Sequence, residues 1–456
     1  MQQKIKYIIS NLDETKGETL NLYSTEHMVN YPNTPINIDT LDLINKIAHK
    51  DNLIKAFRKV KLNKGSPGID QMAVSDVSND LQNIIVALQT GIINGSFKPA
   101  PVRRVEIPKK SGGNRQLGIP IVIDRIVQQA ICNVIEPFFD PNLSDYSFGF
   151  RKGRSCHMAV KQAQSFILDG ANVSVSIDLR RCFDMINHDL LINQLRKTIS
   201  DKRVIRLIAK FLRAGIMVKG KLLPSSIGTP QGGSLSPLLT NIYLNLLDKE
   251  IHTRGHKFVR YADDIIIFLR SKRAAIRVFE SISKFIEDKL KLPINIDKSI
   301  ISALYTSFLG FRLKCDGQIS ISKDNIISLK NKVRFLTKRN RSLSLQAIAN
   351  QLNSLIRGWF HYFKIASAKR VFREIDAWIR RRIRAKILKY CKRKRTVFKL
   401  LAKRIKPSIA ASLAFSNKGI WRLTKSVPMH MAYKNTFFFK YLGLFSLLYQ
   451  YKLSRR

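Results

Sequence analysis

"KFVRYADDIIIFLR", residues 257–270, sets two adjacent aspartates, Asp263 and Asp264, between two stretches that favour β-strands. The pattern predicts a β-hairpin whose turn lies at or near Ala262 and Asp263. For the pair taken alone there is a simple alternative. Aspartate is common in turns, and Arg260 would form a salt bridge with the carboxylates at the tip of the hairpin. The stretch therefore predicts the strands and leaves the purpose of the carboxylates open.

A third carboxylate lies on another predicted strand. "VSVSIDL" (173–179) alternates apolar and polar residues, which predicts a half-buried strand with Asp178 on its polar face. Three carboxylates that fold together require positive charge among them, and two Mg²⁺ ions would supply it for phosphoryl transfer. The predicted hairpin "IPKKSGGNRQLGIP" (107–120) offers Lys109 and Arg115 to a triphosphate, with a solvated surface turn as the alternative.

The charge of the chain is strongly positive and unevenly distributed. The 456 residues carry a formal net charge of +48, and residues 321–456 hold 34 of the 80 Lys and Arg but 3 of the 32 Asp and Glu. This excess predicts a polyanionic partner, nucleic acid first of all. The run "IRRRIRAKILKYCKRKR" (379–395) is predicted to bind a phosphate backbone, and the solvated face of a helix is the alternative. Its predicted RNA-binding residues are Arg380, Arg381, Arg382, Arg384, Lys392, Arg393, Lys394 and Arg395.

Other features of the composition exclude whole classes of protein. Five scattered cysteines without a CxxC pair argue against zinc and disulfides and favour a reducing compartment. The N-terminus lacks the apolar core of a signal peptide, and no uncharged apolar run reaches membrane-spanning length. Residues 435–451, which Lys440 interrupts, are predicted to form a core helix. We therefore expect a cytoplasmic protein without a membrane partner.

The length and the 45% hydrophobic content predict two or three domains. Residues 1–40 are polar, and a single helix is predicted to start near Asp39 and to cover 41–60. The change in composition predicts a boundary near 320–330. Beyond about residue 325 the pattern is mainly helical.

The chain resembles the reverse transcriptase–maturases encoded by bacterial group II introns, in the form without a C-terminal HNH endonuclease. No cysteine follows Cys391, so we expect no cleavage of the second DNA strand. The resemblance is specific because the blocks occur in the family's order. They are "NKGSPGID" (63–70), "IPKKSGGNRQLGIPIVIDRIVQQAI" (107–131), "YSFGFRKGRS" (146–155), "SIDLRRCFDMINHDLL" (176–191), "GTPQGGSLSPLLTNIYLNLLD" (228–248), "YADD" (261–264), "LPINIDKS" (292–299), "FLGF" (308–311), "LNSLIRGWFHYF" (352–363) and "KGIWRLTKSVPMHMAYKN" (418–435).

This resemblance implies an α+β right-hand polymerase, with fingers and palm followed by an all-helical thumb or maturase region. The implied domains are an N-terminal extension with the start of the fingers (1–95), fingers and palm (96–320), thumb or maturase (321–395) and a basic DNA-binding region (396–456).

The resemblance also implies roles for individual residues. Asp178, Asp263 and Asp264 would form the catalytic, metal-binding cluster, together with the main-chain carbonyl of Leu179. Phe183 would exclude a 2′-hydroxyl, and Lys298 is a candidate proton donor to pyrophosphate, with a structural lysine as the alternative. The nucleotide would be bound by Lys109, Arg115, Phe183, Gln231, Gly232 and Gly233, the glycines allowing the backbone to come close to the ligand.

The implied function is RNA-directed DNA synthesis with Mg²⁺, for which Mn²⁺ would substitute. The partners would be an intron RNA template, a DNA primer or target and deoxynucleoside triphosphates. The protein would also bind the intron RNA to promote splicing, and would insert the intron into DNA by target-primed reverse transcription. Two alternatives are a splicing-only RNA-binding maturase and a domesticated relative that serves DNA repair or phage defence.

Overall fold

The computed structural model describes most of the chain beyond residue 39. The chain divides into two compact units, residues 1–304 and 305–456. This boundary precedes the one that the change in composition predicts near 320–330. The polar segment at the N-terminus lies outside the described residues, and the predicted four-part division of the chain stays a prediction. The described ranges are 40–108, 114–218, 220–303, 305–338, 342–391 and 393–455.

The first unit combines helices with two sheets. Its described helices are α1 (Leu43–Ala48), α2 (Lys50–Leu62), α3 (Val74–Asn79), α4 (Leu81–Ile93), α5 (Val122–Phe139), α6 (Cys156–Leu168), α7 (His188–Arg196), α8 (Lys202–Leu212), α9 (Ser236–Thr253) and α10 (Lys272–Asp288). Its described strands are β1 (Val102–Pro108), β2 (Asn114–Ile119), β3 (Val173–Asp178), β4 (Ile216–Val218), β5 (Lys221–Leu223), β6 (Lys257–Tyr261), β7 (Asp264–Leu269) and β8 (Ile300–Ser302).

The sheet that carries the aspartates has the strand order β6-β7-β3-β8, and every neighbouring pair is antiparallel. Strand β7 is buried from Ile265 to Leu269 without a break. Since consecutive side chains of a strand point to opposite faces, both faces of the sheet must be covered here. Ser174 on β3 is buried for the same reason, so the predicted half-buried strand is more enclosed than its alternation suggested.

The second sheet of this unit has the order β2-β1-β4-β5. Strands β1 and β2 form the predicted antiparallel hairpin, with Pro108 opposite Asn114. Its tip, residues 109–113, lies outside the described residues. The predicted β6–β7 hairpin also forms, with Tyr261 opposite Asp264.

The single helix predicted over residues 41–60 is wrong. The chain forms α1 and α2 instead, because His49 takes an extended conformation between them (φ −57°, ψ 135°). The carboxylate of Asp201 accepts a hydrogen bond from the amide of Ile44 at 3.0 Å, which holds α1 separately in place. A tertiary contact thus overrides a helical pattern that continues across the break.

The second unit is a small sheet followed by helices. Strands β9 (Tyr305–Phe308), β10 (Phe311–Lys314) and β11 (Ile319–Ile321) form an antiparallel sheet in the order β11-β10-β9. Beyond residue 321 the described chain is helical, as predicted. The helices are α11 (Lys323–Leu336), α12 (Leu345–Phe363), α13 (Lys369–Tyr390), α14 (Lys394–Ala402), α15 (Pro407–Ala414), α16 (Ile420–Leu423), α17 (Val427–Ala432) and α18 (Leu447–Leu453), with a short π-helix, Phe437–Tyr441.

The core helix predicted over residues 435–451 is interrupted. The π-helix ends at Tyr441, Gly443 takes a left-handed conformation (φ +62°), and α18 starts only at Leu447. Both carboxylate oxygens of the buried Asp376 accept hydrogen bonds from the start of α18. Among the helices that the structure describes, none has the length and apolarity to span a membrane.

Candidate active site

The three predicted carboxylates meet at one end of the β6-β7-β3-β8 sheet. Asp178 is the last residue of β3 and stands opposite Asp264, the first residue of β7. Asp263 lies in the turn between β6 and β7, directly after Ala262. The φ of Ala262 is +58°, a left-handed conformation that is uncommon outside glycine. The antiparallel register therefore joins two segments that are far apart in the sequence into one acidic site.

The electrostatics of this site favour a bound cation. Burial raises the pKa of Asp263, and the charge of Asp178 raises it further, whereas Arg115 lowers it. Asp264 is exposed to solvent, yet partial loss of hydration together with the charges of Asp263 and Asp178 raises its pKa to about 6. Within the described ranges, no Lys or Arg forms an ion pair with these three carboxylates. Crowded carboxylates without such partners are stabilised by a divalent ion.

The oxygen atoms at the site suit Mg²⁺, which prefers hard oxygen ligands. The carbonyl of Leu179 accepts no hydrogen bond from the described residues, whereas the carbonyl of Asp178 accepts one from the amide of Asn295 at 2.9 Å. No group of three His, Cys, Asp or Glu side chains in the described ranges already converges on a metal position. Mg²⁺ is usually held by one or two carboxylates together with substrate phosphates, so such a group is not required.

Arg260 does not bridge to the aspartates at the tip of the hairpin. Its guanidinium is fully buried and donates to both carboxylate oxygens of Asp248 on α9, at 2.6 and 2.7 Å. A third bond, at 3.0 Å, reaches the carbonyl of Ala262 beneath the turn. The alternative of a salt-bridged tip is therefore wrong, and the pairing with Asp248 is a feature that the sequence did not reveal.

Two of the predicted nucleotide-binding residues contact each other. Nε of Arg115 on β2 donates to Oε1 of Gln231 at 2.9 Å, and the carbonyl of Gln231 accepts from the amide of Gly118 at 2.9 Å. The positive charge of Arg115 lowers the pKa of Asp263 and so opposes the larger effect of burial, which raises it. The β1–β2 hairpin thus presents a cation to the acidic site. Lys109, predicted to share this role, lies outside the described residues.

The two glycines after Gln231 allow their loop to pack closely on the protein itself. Gly232 has a φ of +137°, and a Cβ there would lie 2.5 Å from the carbonyl oxygen of Gly118. A Cβ on Gly233 would lie 2.7 Å from Oε1 of Gln128. The resemblance implies that these glycines allow the close approach of a ligand. Within the described residues, the close approach is that of β2 and α5.

Phe183 lies in a 3₁₀ turn, Cys182–Met185, that follows β3 and therefore Asp178. Its carbonyl accepts a hydrogen bond from the amide of Thr229 at 2.7 Å, which ties this turn to the loop of Gln231. Phe150 packs against Phe183 edge to face, with ring centroids 6.5 Å apart and planes at 81°. No role is predicted for Phe150 from the sequence, where it is one residue of the block "YSFGFRKGRS" (146–155).

Lys298 is an exposed residue of the turn that precedes β8. The next residue, Ser299, connects this turn to the site, because its Oγ accepts from the amide of Asp178 at 3.2 Å. Lys298 therefore directly precedes a residue that is bonded to the end of β3. Its role as proton donor stays a prediction.

Much of the basic run in the second unit is used inside that unit. Arg384 is 4% exposed and donates to the carbonyl of Tyr433 at 3.0 Å, contrary to the prediction that it contacts RNA. The Arg381 guanidinium stacks 3.7 Å from the ring centroid of Trp421 and donates to its carbonyl. Arg382 donates to Oγ1 of Thr337. These cations interact with carbonyls, a hydroxyl and aromatic rings, which a charge count does not reveal.

The end of the basic run is accessible. Arg393, Lys394 and Arg395 are exposed at the start of α14. Lys394 donates to Oδ1 of Asn417 at 2.9 Å. Arg380 is half-buried near the ring of Phe439. Lys392, also predicted to bind RNA, lies outside the described residues.

Two family models match the chain. The reverse transcriptase (RNA-dependent DNA polymerase) model matches residues 107–313, which include every predicted catalytic residue. The group II intron maturase-specific domain matches residues 326–405. The fold and the acidic site therefore define the class of the protein as a reverse transcriptase.

Curated relatives place the chain within this class. Protein YkfC of Escherichia coli (strain K12) is 31% identical, over 59% of this chain and 82% of YkfC. Group II intron-encoded protein LtrA of Lactococcus lactis subsp. cremoris is 30% identical, over 74% of this chain and 66% of LtrA. The putative COX1/OXI3 intron 2 protein of Saccharomyces cerevisiae is 32% identical, over 58% of this chain and 38% of that protein. The chain belongs to the family of group II intron reverse transcriptase–maturases.

Proposed function

We propose that this protein copies RNA into DNA with Mg²⁺ held by Asp178 and Asp263, and that it binds the RNA of a group II intron as a splicing and mobility cofactor. One observation carries the catalytic part. The register of β3 and β7 brings three carboxylates together without an ion-pairing Lys or Arg from the described residues, and Arg115 lies close enough to influence Asp263.

The residues at the site would divide the work of nucleotide addition. When bound, two Mg²⁺ ions activate the 3′-hydroxyl of the primer and stabilise the leaving pyrophosphate. Asp178, Asp263 and the carbonyl of Leu179 would hold these ions, with Asp264 beside them, and Mn²⁺ would substitute. Arg115 and Lys109 would bind the triphosphate, which phosphoryl transfer requires mainly for orientation and charge neutralisation.

Two further elements would select and release the substrate. The ring of Phe183 would leave no room for a 2′-hydroxyl, so that deoxynucleotides are preferred over ribonucleotides. Gln231, held by Arg115 at 2.9 Å, would face the templated nucleotide together with Gly232 and Gly233. Lys298 would donate a proton to pyrophosphate.

The second unit would bind intron RNA through phosphate contacts, in keeping with the match of its residues 326–405 to the maturase-specific domain. Of the predicted RNA-binding residues that the structure describes, Arg393, Lys394 and Arg395 are exposed and would make such contacts. In the bacterial cytoplasm, the protein would then extend a cleaved target strand as the primer and copy the bound intron RNA.

Primer extension on an RNA template tests the catalytic part directly. With Mg²⁺ and deoxynucleotides, the parent extends the primer, and Asp263→Ala reduces the rate by on the order of 10³-fold. Asp288→Asn, which neutralises an exposed aspartate at the end of α10 in the same unit, is the matched control and extends like the parent. Equal extension by the parent and Asp263→Ala would contradict the site. If neither protein extends and both restore splicing of the intron RNA, the protein is a splicing-only maturase.

A further inference from the structure

A buried asparagine on α9 connects the turn that bears Asp263 to a neighbouring loop. Asn241 is 1% exposed. Its Oδ1 accepts from Nη1 of Arg260 at 2.9 Å, and its Nδ2 donates to the carbonyl of Gly149 at 2.8 Å. A guanidinium can only donate and a carbonyl can only accept, so the two partners fix the orientation of the carboxamide. An apolar side chain of the same size would leave both buried partners without this bond.

On one side, Asn241 supports the carboxylate turn through Arg260. Nη1 of Arg260 donates both to Asn241 and to the carbonyl of Ala262, at 3.0 Å in the second case. Ala262 has the left-handed φ of +58°, and Asp263 follows it. A strained residue of this kind persists where its surroundings determine its conformation. The direction in which Asp263 leaves the turn therefore depends on the buried bonds beneath it.

On the other side, Asn241 holds the loop of Gly149 against the same turn. A Cβ on Gly149 would lie 2.3 Å from the amide nitrogen of Ala262, so the two backbones are in direct contact. The amide of Phe148 donates to the carbonyl of Arg260 at 2.9 Å, which extends the contact along β6. The Gly149 loop and the carboxylate turn therefore form one packed assembly, with Asn241 bonded to both.

The residue after Gly149 is an exposed aromatic residue at the edge of this assembly. Phe150 is 54% exposed, although a large apolar ring is usually buried, and its φ is +60°. A left-handed conformation in a bulky residue is a genuine outlier and is typical of functional sites. Its ring packs edge to face on Phe183, so the two rings form a continuous aromatic wall.

We propose that Asn241 is a positioning residue that fixes the distance between the Asp263 turn and the aromatic wall of Phe150 and Phe183. This inference rests on the proposed function of the site as a polymerase. Asn241 thereby sets two properties of the reaction, the Mg²⁺ concentration that extension requires and the preference for deoxynucleotides over ribonucleotides. Phe150 becomes the second residue of the wall that distinguishes the two sugars.

Two substitutions separate the two bonds. Asn241→Leu removes both, so we expect the Mg²⁺ concentration for half-maximal extension to rise about 10-fold, as with other residues that orient metal ligands. In the same variant we expect the ratio of kcat/KM for a deoxynucleotide to kcat/KM for the matching ribonucleotide to fall. Asn241→Asp still accepts from Arg260 but cannot donate to Gly149, so the sugar preference falls while the Mg²⁺ requirement changes less.

Asn245 provides a matched control on the same helix. It lies one turn beyond Asn241 and donates to the carbonyl of Asn142 at 3.1 Å. Asn245→Leu therefore removes an asparagine–carbonyl bond of the same kind without touching the carboxylate turn. Both measured properties stay at the parent's values in this variant.

The experiment is single-turnover primer extension by the full chain over a series of Mg²⁺ concentrations, with deoxy- and ribonucleotides, and with melting temperatures recorded alongside. If the parent extends and Asn241→Leu matches Asn245→Leu in both properties, the inference is overturned and the polymerase function stands. If the parent does not extend, the proposed function itself fails. Should Asn241→Leu not fold, Asn241→Asp decides in the same way, and an unchanged sugar preference in that folded variant overturns the inference.

Discussion

The two units of this protein place their charges in opposite ways. In the first unit, Asp178, Asp263 and Asp264 lie together without an ion-pairing Lys or Arg among the described residues, while Arg260 directly beneath their turn is paired with Asp248. In the second unit, cations of a run without acids are bound to carbonyls and aromatic rings. The cations of the basic run in the second unit are thus used inside the fold, whereas the three carboxylates of the first unit are left for a ligand.

In this protein the partners of charged side chains, rather than the number of charges, identify a binding site. A guanidinium that finds a buried carbonyl or an aromatic face is satisfied without an anion. Carboxylates can only accept hydrogen bonds, so a group of them is not satisfied by one another and requires a cation or a donor. The isolated acidic group is therefore a stronger indication of function than the longer basic run.

The largest expected effect is loss of polymerisation when the acidic group is changed. Asp178→Asn and Asp263→Asn each reduce extension by on the order of 10³-fold, because each removes a metal-binding charge. The double variant is hardly slower than either single variant, since residues that act as a unit are not additive. Single-turnover extension measures this. Multiplied losses in the double variant would mean that the two residues serve separate steps.

Two buried arginines test the difference between the units in terms of stability. Arg260→Met leaves the fully buried Asp248 charge without its partner and destabilises the first unit by about 3–5 kcal/mol. Arg384→Met in the second unit leaves only the neutral carbonyl of Tyr433 and also removes a buried cation whose Nε has no partner among the described residues, so it costs at most about 1–3 kcal/mol. Urea unfolding of both variants provides the comparison. Equal losses would show that the carboxylate partner of Arg260 makes no difference.

A buried carboxyl on α5 makes the stability of the first unit depend on pH. Burial raises the pKa of Asp124 to about 7; Oδ2 accepts from the amide of Ala100 at 2.9 Å, whereas Oδ1 has no partner among the described residues. The folded state therefore holds this proton more tightly than the unfolded state. The resulting stabilisation is complete below the unfolded pKa and is lost as the pH rises towards 7.

Asp124→Asn removes this titration. Between pH 5 and pH 7 the parent loses about 2–3 kcal/mol relative to the variant. Unfolding curves at both pH values measure the difference, and parallel pH profiles would contradict it. Asp376→Asn is the matched change in the second unit, where three donors already serve the carboxylate, so there the substitution destabilises.

The smallest expected effect concerns RNA affinity. Serine at Arg393, Lys394 and Arg395 weakens RNA binding about 10-fold and reduces the slope of log affinity against log salt by about 2, because three phosphate contacts are lost. Serine at Arg273, Arg277 and Lys284, exposed cations of α10, is the matched control of equal charge. Filter binding over a range of salt measures both. The same loss in both triple variants would assign RNA binding to net charge alone.

Much of the site could be predicted from the sequence because its pattern is local. The alternation before Asp178 predicts β3, and the turn at Asp263 predicts the β6–β7 hairpin. The β1–β2 hairpin with Arg115 is local for the same reason. The pairing of β3 with β7, which brings Asp178 and the Asp263 turn together, joins distant segments and is not part of these predictions. The resemblance to the intron-encoded enzymes implies roles for these residues. The family models confirm the family, and the roles of the individual residues stay predictions.

The remaining features depend on contacts between distant segments. The pairing of Arg260 with Asp248 and the burial of Arg384 against Tyr433 join residues whose local patterns suggest exposed charges. The break at His49 follows from how α1 is held by Asp201, which no helical periodicity records. Phe150 resembles an ordinary loop residue until its packing on Phe183 is seen.

A change of metal preference tests directly whether Asp263 is a ligand of the catalytic metal. Asp263→Cys replaces a hard oxygen ligand with a soft thiolate, which binds Mg²⁺ poorly and Cd²⁺ well. With Mg²⁺ alone we expect single-turnover extension to be slower by on the order of 10³-fold. Added Cd²⁺ restores extension in Asp263→Cys and does not restore it in Asp263→Ser. Extension by Asp263→Cys at the parent's rate with Mg²⁺ alone, or the same response to Cd²⁺ in both variants, would show that Asp263 does not bind the catalytic metal.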